Sequence, residues 1–336
     1  MPPDGSRLPL LLQQVARQMP RYPLLKVPTP VQAWDFPGRG MLWIKRDDLT
    51  HPGYGGNKVR KLEFILGHAL AKKYRRIVTF GALGTHHGLA TAFFARQCEL
   101  QTTVILFDQP VTPAVLHTQA RLQQLGAELW HRHSLWRCVL SYSLEAPLRH
   151  PLALRVFAGG SGFAGALALV LAAIELAEQQ AREHFPIPDR IFVAVGSSAT
   201  LAGLATGCAL LGWNTRVVGV RVAQERLGPW SVCNRQTVEA QINLLRQHLA
   251  LWGIRVPAVH FDFDDTEFGS GYGVATADAE AAAQLFADTV ACPLDSTYTA
   301  KTFAAVLKCR QRHPQAQLLY WHTLNSADTQ HWNSAH

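Results

Sequence analysis

A lysine placed directly after two glycines and an asparagine is the residue whose surroundings most suggest chemistry. It is Lys58, in the stretch GYGGNKVRKLEF from Gly53 to Phe64. In a sheltered site a lysine amine can form a Schiff base with a carbonyl group, and neighbouring glycines let a planar ligand lie against the backbone. A turn that opens onto a helix would give the same letters without any function. The choice between these interpretations depends on the rest of the chain.

A second candidate site is a turn of small residues in the segment RIFVAVGSSATLAGLATG. The pattern predicts a strand, a turn and a helix start, so backbone N–H groups and hydroxyls converge at a helix N-terminus and can cradle an anion. The turn lacks the lysine of a nucleotide P-loop and the GxGxxG order, so neither ATP nor a dinucleotide is the first expectation. Such turns are also common as purely structural features. The cradle residues are Gly196, Ser197, Ser198, Ala199 and Thr200.

A third turn, in TFGALGTHHGLATA, carries Thr85, His86 and His87 at a predicted helix start. A hydroxyl and two imidazoles at a helix N-terminus suit a carboxylate. A metal ion is the competing interpretation. Adjacent histidines point to different sides of a helix, no HxxxH motif follows, and no nearby carboxylate completes a ligand set. We therefore expect no metal here.

Two segments near the C-terminus combine aromatic and hydroxyl side chains. PLDSTYTAKTF places Tyr298 and Thr299 at the start of a predicted helix, and LLYWHTLN ends a short strand with His322 and Thr323. An aromatic ring with hydroxyl donors suits a planar heteroaromatic ligand. Each residue also has a structural explanation, with Tyr298 in the core and Thr299 as a helix N-cap.

The elements that must position these residues alternate between apolar strands and helices. Strands are predicted at 75–80, 102–107, 190–195 and 216–222, each followed by a helical run. Continuously apolar strands separated by helices indicate parallel sheets covered on both faces, which is an α/β fold. Ligands collect at the carboxyl ends of such strands, where the second and third turns lie.

Composition excludes several classes of protein. The chain has 336 residues, 48% of them hydrophobic, which is typical of a globular protein. Its net charge of +8 comes from 32 Lys and Arg residues spread along the chain, without the basic patch that nucleic-acid binding requires. Six scattered cysteines form no CxxC motif, and the N-terminus has no signal-peptide pattern. We expect a cytoplasmic protein that binds neither nucleic acid nor membranes.

Taken together, six segments resemble the fold type II pyridoxal-phosphate enzymes, and among them the family of 1-aminocyclopropane-1-carboxylate deaminase and D-cysteine desulfhydrase. The most specific is the first, because the cofactor lysine of that family lies in a similar GGNK-x-RKLE stretch. The others match loosely but in the right order. The segments are LWIKRDDLTHPGYGGNKVRKLEF, TFGALGTHHGLATAFFAR, AGGSGFAGALALVLAAIELAEQ, VAVGSSATLAGLATG, FGSGYGVATADAEAAAQLFA and PLDSTYTAKTF.

The resemblance implies a two-domain architecture like that of the tryptophan synthase β subunit. A large domain of residues 1–50 and 165–336 would bind pyridoxal 5'-phosphate, and a small mobile domain of residues 51–164 would close on the substrate. The cofactor would lie in the cleft between them. The resemblance also implies a homodimer.

The resemblance further implies roles for the candidate residues. Lys58 would hold the cofactor as a Schiff base and move protons at the substrate carbon. Asn57 and His86 would lie beside the cofactor ring and residues 196–200 would form the phosphate cup. Tyr298 would face the ring, with Thr299 or Thr323 at its nitrogen. Tyr272, in GSGYGVAT, would donate a proton or line the pocket, and Thr85, His86 and His87 would bind the substrate carboxylate. The implied catalytic residues are Lys58, Thr85, Tyr272 and Tyr298.

The expected activity is β-elimination from a small amino acid such as D-cysteine, giving a 2-oxo acid, ammonia and sulfide. The deaminase branch of the family tends to carry glutamate where this chain has Thr299, which favours the desulfhydrase-like branch. Alternatives are cyclopropane ring opening, racemisation, sulfo-lyase chemistry, and a catalytically silent protein that binds pyridoxal phosphate or another ligand. Departures from the family pattern at residues 84–89, 198–199 and 324–325 motivate the last alternative.

Overall fold

The structure is a computed structural model that describes residues 17–227 and 230–325. The helices are α1 (Asn57–Ala71), α2 (His86–Gln97), α3 (Pro113–Gln124), α4 (Leu135–Leu140), α5 (Ala146–Arg149), α6 (Phe163–Glu183), α7 (Ala199–Leu210), α8 (Arg235–Ala250), α9 (Ala277–Val290) and α10 (Thr299–Arg312). The strands are β1 (Val31–Phe36), β2 (Gly40–Arg46), β3 (Arg76–Ala82), β4 (Gln101–Phe107), β5 (Glu128–His133), β6 (Ala153–Arg155), β7 (Arg190–Val195), β8 (Arg216–Arg221), β9 (Arg226–Leu227), β10 (Trp230–Ser231), β11 (Phe261–Asp264) and β12 (Leu318–His322).

The strands form two parallel-rich sheets, which confirms the predicted α/β class. A six-stranded sheet has the order β1-β2-β12-β7-β8-β11, and only the β1–β2 pair is antiparallel. A four-stranded sheet, all parallel, has the order β5-β4-β3-β6. The four predicted strands are present. The run after β8 was predicted to lead to a helix, but a short β9–β10 hairpin comes before α8.

Strand β7 shows why a continuously apolar run becomes a central parallel strand. Ile191 and Val193 pack in one hydrophobic cluster, whereas Phe192 packs in another on the opposite face of the sheet. Both faces are therefore covered by helices, as parallel sheets require. The strand ends at Val195, so the small-residue turn that follows emerges at the carboxyl edge of the six-stranded sheet.

Helices α6 and α7 pack against each other through small residues. A Cβ on Gly203 would lie 2.3 Å from the carbonyl oxygen of Ala166, so only glycine permits this approach. By length and composition α6 could cross a membrane, but most of it is buried inside the protein. α6 is thus a core helix that packs on the six-stranded sheet. It also packs against α7, the helix that begins at the turn of residues 196–200.

A buried group of charges holds the first turn of α1 against the larger sheet. Arg60 forms ion pairs with Asp47 at 2.7 Å and with Glu175 at 2.8 Å, and Lys45 pairs with Glu175 at 2.7 Å. Burial acts to raise the pKa of Glu175, but Arg60 and Lys45 outweigh it and lower the pKa to about 2. These ion pairs anchor the turn that carries Lys58 to β2 and α6. Breaking them is costly, because removing one partner would leave an unpaired buried charge.

A cavity of about 1090 Å³ is lined by residues from both sheets. Its wall includes the carboxyl ends of β3, β4, β5 and β7 and the residues after β12. This is the edge at which the sequence predicts ligand binding. The four-stranded sheet comes from residues 76–155, whereas the six-stranded sheet comes from the chain before and after it. The predicted domain boundaries at residues 50 and 165 stay a prediction.

Candidate active site

Lys58 lies in the first turn of α1, and its side chain lines the cavity. Its Nζ donates a hydrogen bond to Oδ1 of Asn57 at 2.8 Å. Burial lowers the pKa of the Lys58 amine to about 8, against the opposite effect of the Asp295 carboxylate. At pH 7 roughly a tenth of such an amine is uncharged. The uncharged form is the one that attacks a carbonyl carbon or accepts a proton.

The two glycines before Asn57 are required by backbone packing. A Cβ on Gly55 would lie 1.7 Å from the carbonyl oxygen of Asp48, and one on Gly56 would lie 2.8 Å from that of Thr323. Gly56 also has φ of +100°, which L side chains rarely adopt. Gly55 also lines the cavity, and the interpretation that these glycines let a ligand lie against the backbone stays a prediction. They bring the start of α1 against the protein's own backbone.

The loop after β3 presents a hydroxyl and two imidazoles to the cavity. Thr85 is the N-cap of α2, and its Oγ1 accepts a hydrogen bond from the N–H of Gly88 at 3.1 Å. Both ring nitrogens of the buried His87 lack a hydrogen-bond partner in the part of the chain that the structure describes. An unpaired buried polar group costs about 1–3 kcal/mol. The His87 ring is therefore available to a ligand in the cavity.

Both imidazoles of this loop are uncharged at neutral pH. Burial lowers the pKa of His87 to about 3, and the nearby Lys58 and Lys61 act in the same direction. Burial also lowers the pKa of His86, whose ring meets that of Tyr298 edge-on with centroids 6.3 Å apart. A neutral imidazole donates one hydrogen bond and accepts one. It can therefore bind an anion as a hydrogen-bond donor without carrying a charge.

Two hydroxyls of the loop after β7, those of Ser198 and Thr200, are engaged by the protein. Oγ of Ser198 and Oγ1 of Thr237 are 2.7 Å apart. Oγ1 of Thr200 accepts a hydrogen bond from Nδ2 of Asn57 at 3.1 Å. Because Asn57 also accepts the bond from Lys58, one amide side chain connects the reactive amine to the predicted anion cradle.

Backbone geometry in the same loop is constrained. Ser198 has φ of +64° and ψ of −30°, a conformation that favours glycine. Oγ of Ser161 donates a hydrogen bond to the carbonyl oxygen of Ser197 at 2.6 Å. The Cβ of Ala199 is fully buried among core residues and does not line the cavity, and its N–H donates to the carbonyl oxygen of Ser197 at 2.8 Å. The cradle is thus a fixed structure whose third residue, Ser198, is strained.

Two tyrosines meet at the cavity wall beside the β7 loop, where a Cβ on Gly196 would lie 3.3 Å from Cε1 of Tyr298. The hydroxyl oxygens of Tyr272 and Tyr298 are 2.5 Å apart, and the rings meet edge-on with centroids 6.1 Å apart. Burial raises the pKa of Tyr272 to about 12 and raises that of Tyr298 well above its usual value, with Tyr272 adding to the effect. Both phenols are therefore protonated at neutral pH and can donate protons or hydrogen bonds.

The turn before α10 is organised by Asp295. One carboxylate oxygen accepts hydrogen bonds from the N–H groups of Thr297 and Tyr298 at 3.0 and 2.7 Å. The other accepts from the N–H and the hydroxyl of Thr299, at 3.1 and 2.7 Å. Asp295 therefore fixes both Tyr298 and Thr299 at the cavity wall. Thr323 reaches the same cavity from the end of β12, and its carbonyl oxygen faces Gly56.

The combination favours covalent chemistry on a carbonyl compound. A lysine amine with a lowered pKa, an anion cradle and protonated phenols surround one cavity. The model of the family described as pyridoxal-phosphate dependent enzymes matches residues 21–323. The chain belongs to this family.

Individual relatives agree with this membership. The chain is 32% identical to a D-cysteine desulfhydrase of Serratia proteamaculans, over 93% of this chain and 96% of the relative. It is 31% identical to a D-cysteine desulfhydrase of Klebsiella pneumoniae, over 88% and 90% of the two chains. The crystal structure of an ACC deaminase homologue matches with a TM-score of 0.77 and 26% identity, over 99% and 98% of the chains. The fold is therefore fold type II, as the resemblance implied.

Membership makes this a pyridoxal-phosphate-dependent enzyme, and the chemistry of the cavity fits the cofactor. An aldehyde requires an amine in its uncharged form, which Lys58 supplies. A phosphate requires N–H donors at a helix N-terminus, and α7 begins at the cavity wall. The unpaired His87 leaves a donor for a further ligand. Nothing in the donor set conflicts with this pyridoxal-phosphate family.

All but one of the predicted site residues line the same cavity, and their individual roles stay predictions. The exception is Ala199. Those that line it are Asn57, Lys58, Thr85, His86, His87, Gly196, Ser197, Ser198, Thr200, Tyr272, Tyr298, Thr299 and Thr323.

One member of the site escaped the sequence analysis. Asp295 lines the cavity, opposes the lowering of the Lys58 pKa and holds Thr299. Its signal is present in the sequence, because an aspartate a few residues before a helical run is a common N-terminal capping residue. Thr299, the expected N-cap, is instead the first residue of α10, and its hydroxyl donates to Asp295.

Proposed function

We propose that this enzyme catalyses β-elimination from D-cysteine, with pyruvate, ammonia and sulfide as products. The observation that carries the proposal is the Thr299 hydroxyl, which Asp295 holds at the cavity wall. A hydroxyl after Tyr298, in place of a carboxylate, is the feature by which the sequence favours the desulfhydrase-like branch. Two relatives at 31–32% identity carry the name D-cysteine desulfhydrase, which supports the same choice.

In this proposal the cofactor is held from three sides. Lys58 would hold it covalently, and residues 196–200 with the N-terminus of α7 would bind its phosphate. Tyr298, His86 and Asn57 would bind its ring, and Thr299 or Thr323 would meet its nitrogen. When bound, pyridoxal phosphate withdraws electrons from the α-carbon of the substrate.

The protein's own groups move the protons. Once released from the cofactor, the Lys58 amine takes the α-proton, a role that its pKa of about 8 suits. The Tyr272 and Tyr298 hydroxyls share a hydrogen bond, so one of them can pass a proton to the departing sulfur while the other replaces it. Tyr272 and Tyr298 are thus assigned as acids, because burial keeps both phenols protonated.

The substrate carboxylate would bind at the N-terminus of α2. The Thr85 hydroxyl accepts from Gly88 but, among the described residues, keeps its own proton free to donate. Neutral His86 and His87 add imidazole N–H donors, and the helix N-terminus adds favourable partial charge. Satisfying His87 in this way would remove an unpaired buried group that the free enzyme carries.

A panel of amino acids tests the proposal. The purified enzyme, reconstituted with pyridoxal phosphate, is given D-cysteine, L-cysteine or 1-aminocyclopropane-1-carboxylate, and 2-oxo acid and ammonia are measured over many turnovers. We expect pyruvate and sulfide from D-cysteine in equal amounts. Release of 2-oxobutanoate from the cyclopropane would instead assign ring opening.

The remaining outcomes of the same panel contradict the proposal in distinct ways. Loss of optical activity without 2-oxo acid would indicate racemisation. Release of sulfite from a sulfonated amino acid, added to the panel for this purpose, would indicate sulfo-lyase chemistry. A cofactor band that shifts once with every amino acid, without turnover, would indicate a silent binding protein.

We further propose that the enzyme works in the cytoplasm as a homodimer, with residues 51–164 closing as a small domain over the cavity. The described cysteines are all free thiols, which suits a reducing compartment. The dimer rests on family resemblance, and light scattering of the holoenzyme would test it. A monomeric mass at all concentrations would contradict it.

A further inference from the structure

A cluster of two histidines and an aspartate lies at the rim of the cavity, outside the residues used above. Asp108 directly follows β4, and His131 and His133 lie at the end of the adjacent strand β5. Their side chains are 52%, 44% and 66% exposed. Asp108 and His133 also line the cavity, so the cluster faces both the solvent and the active site.

The backbone at this point brings the three side chains together. The pairing of β4 with β5 shifts register between Leu106 and Phe107, so Leu106 pairs with His131 and Phe107 with His133. His133 has φ of +60°, a conformation that costs energy for a residue other than glycine. The N–H of Asp108 donates to the carbonyl oxygen of His133 at 3.1 Å, which fixes the ends of both strands. Bulges of this kind redirect side chains and occur often beside functional sites.

The distances within the cluster are those of ligands around one ion. Nε2 of His131 lies 2.5 Å from Oδ1 of Asp108, and Nδ1 of His133 lies 3.2 Å from Oδ2. One donor atom from each residue lies within 4.8 Å of the other two. Ligands that share a zinc ion at about 2.1 Å lie at most about 4.2 Å apart. Small rotations of these exposed side chains therefore suffice to enclose an ion.

We propose that Asp108, His131 and His133 bind a divalent transition-metal ion of the zinc class. Two imidazoles and one carboxylate are a ligand set that such ions accept, and three protein ligands leave a coordination position open. Since Asp108 and His133 line the cavity, the bound ion lies at its mouth. The two histidines of the β3 loop, the other candidate for a metal, have no carboxylate near them in the sequence. The carboxylate and imidazoles that meet are on neighbouring strands.

Equilibrium dialysis of the pyridoxal-phosphate-loaded enzyme against zinc at micromolar concentration tests the proposal. We expect one zinc per chain in the wild type. Asp108→Asn, His131→Gln and His133→Gln should each weaken binding by at least about tenfold, as losing one of three ligands does. A retained cofactor absorption band would show that each variant is folded.

Matched controls separate this site from other ligands. His313→Gln removes an exposed histidine of the other sheet's layer and should leave zinc binding unchanged. His331→Gln combined with His336→Gln removes the imidazoles of the C-terminal tail and should also leave it unchanged.

X-ray absorption at the zinc edge identifies the ligand atoms directly. Scattering from imidazole and oxygen, without sulfur, is the expected result. Absence of zinc after dialysis, zinc that persists in all three variants, or sulfur scattering at about 2.3 Å would each overturn the proposal. Binding that disappears only in the tail variant would do the same.

Discussion

The loops after β3 and β7 have the same design and differ in one respect. Each is a turn between a parallel strand and a helix N-terminus at the cavity. In the β7 loop, Ser198 is hydrogen-bonded to Thr237, and Thr200 is bonded to Asn57. In the β3 loop, by contrast, His87 has no protein partner among the described residues. A loop in which two hydroxyls are already held by the protein suits a group that stays bound, and a loop with an unused donor suits a group that arrives and leaves.

Lys58 is the element on which both loops depend, so its loss should have the largest effect. Lys58→Ala should lower turnover of the active amino acid by at least about a thousandfold, because it removes both the covalent link and the proton acceptor. Steady-state 2-oxo acid release measures this. Lys72→Ala, at the C-terminal end of the same helix, is the matched control and should retain activity. Full turnover of the Lys58→Ala variant would show that the chemistry at the two loops does not depend on Lys58.

The pH dependence of Lys58 reactivity should show whether either loop places a charge beside the lysine. In the cofactor-free enzyme its pKa of about 8 lies below the ordinary value, so the reactive uncharged form increases as the pH rises. Acylation of Lys58 should therefore increase roughly fiftyfold between about pH 6 and about pH 8, and then level off. Peptide mass spectrometry measures it, with acylation of Lys72 in the same sample as the internal reference.

The shape of that profile tests the β3 loop as well. The pKa values of His86 and His87 are lowered by burial, so neither imidazole should add a step near its ordinary pKa. A second step in Lys58 reactivity in that range would show that an imidazole gains charge beside the lysine. The description of the β3 loop as a neutral donor set would then be wrong.

The unused donor of the β3 loop should affect substrate binding and stability in opposite directions. His87→Leu removes an unpaired buried ring, so we expect a gain of about 1 kcal/mol in the free energy of unfolding. It should also raise KM for the substrate by roughly tenfold to a hundredfold through loss of a hydrogen bond to a carboxylate. Urea denaturation and steady-state kinetics measure the two effects.

Thr79→Val is the matched control for that variant. The Thr79 hydroxyl is likewise buried and without a partner in the described chain, but it does not line the cavity. We expect Thr79→Val to stabilise the protein with an unchanged KM. If His87→Leu left KM unchanged too, the two loops would not differ as argued.

A substitution in the β7 loop should change the affinity for the cofactor. Thr200→Val deletes the hydroxyl that accepts the Asn57 hydrogen bond, and we expect cofactor binding to weaken by about fivefold to tenfold. Titration of the cofactor-free protein with pyridoxal phosphate, followed by absorbance, measures it. Thr206→Val, deeper in α7 and away from the cavity, should leave the affinity unchanged. Equal effects of both substitutions would point to helix stability in place of the loop.

The fold and the set of residues that line the cavity were largely predictable, because both follow from local sequence patterns. Strand β7 begins and ends at the predicted residues, since a continuous apolar run bounded by polar and small residues specifies a buried parallel strand. Lys58 and the two loops then follow, as residues at the carboxyl edge of parallel strands.

What the sequence could not provide depends on contacts between distant segments. The bond from Asn57 to Thr200 joins residues that are 143 positions apart. The glycines before Asn57 pack closely against the backbone of Asp48 and Thr323, and a sequence does not show that these segments touch. The meeting of Asp108 with two histidines depends on the register of β4 against β5, including its irregularity. Register is set by packing that only the folded chain reveals.

The smallest effect should come from Ser198, where the fixed loop carries its strain. With φ of +64°, serine there costs of order 1–3 kcal/mol relative to glycine, whereas its hydrogen bond to Thr237 contributes about 1 kcal/mol. Ser198→Gly relieves the strain and loses the bond, so the free energy of unfolding should rise by about 1 kcal/mol. Ser198→Ala loses the bond and keeps the strain, so it should fall by about 1 kcal/mol. Urea denaturation of the cofactor-free proteins measures both. Opposite signs would show that the backbone of this loop is held against its own preference, and a fall in both variants would show that the hydroxyl matters more than the conformation.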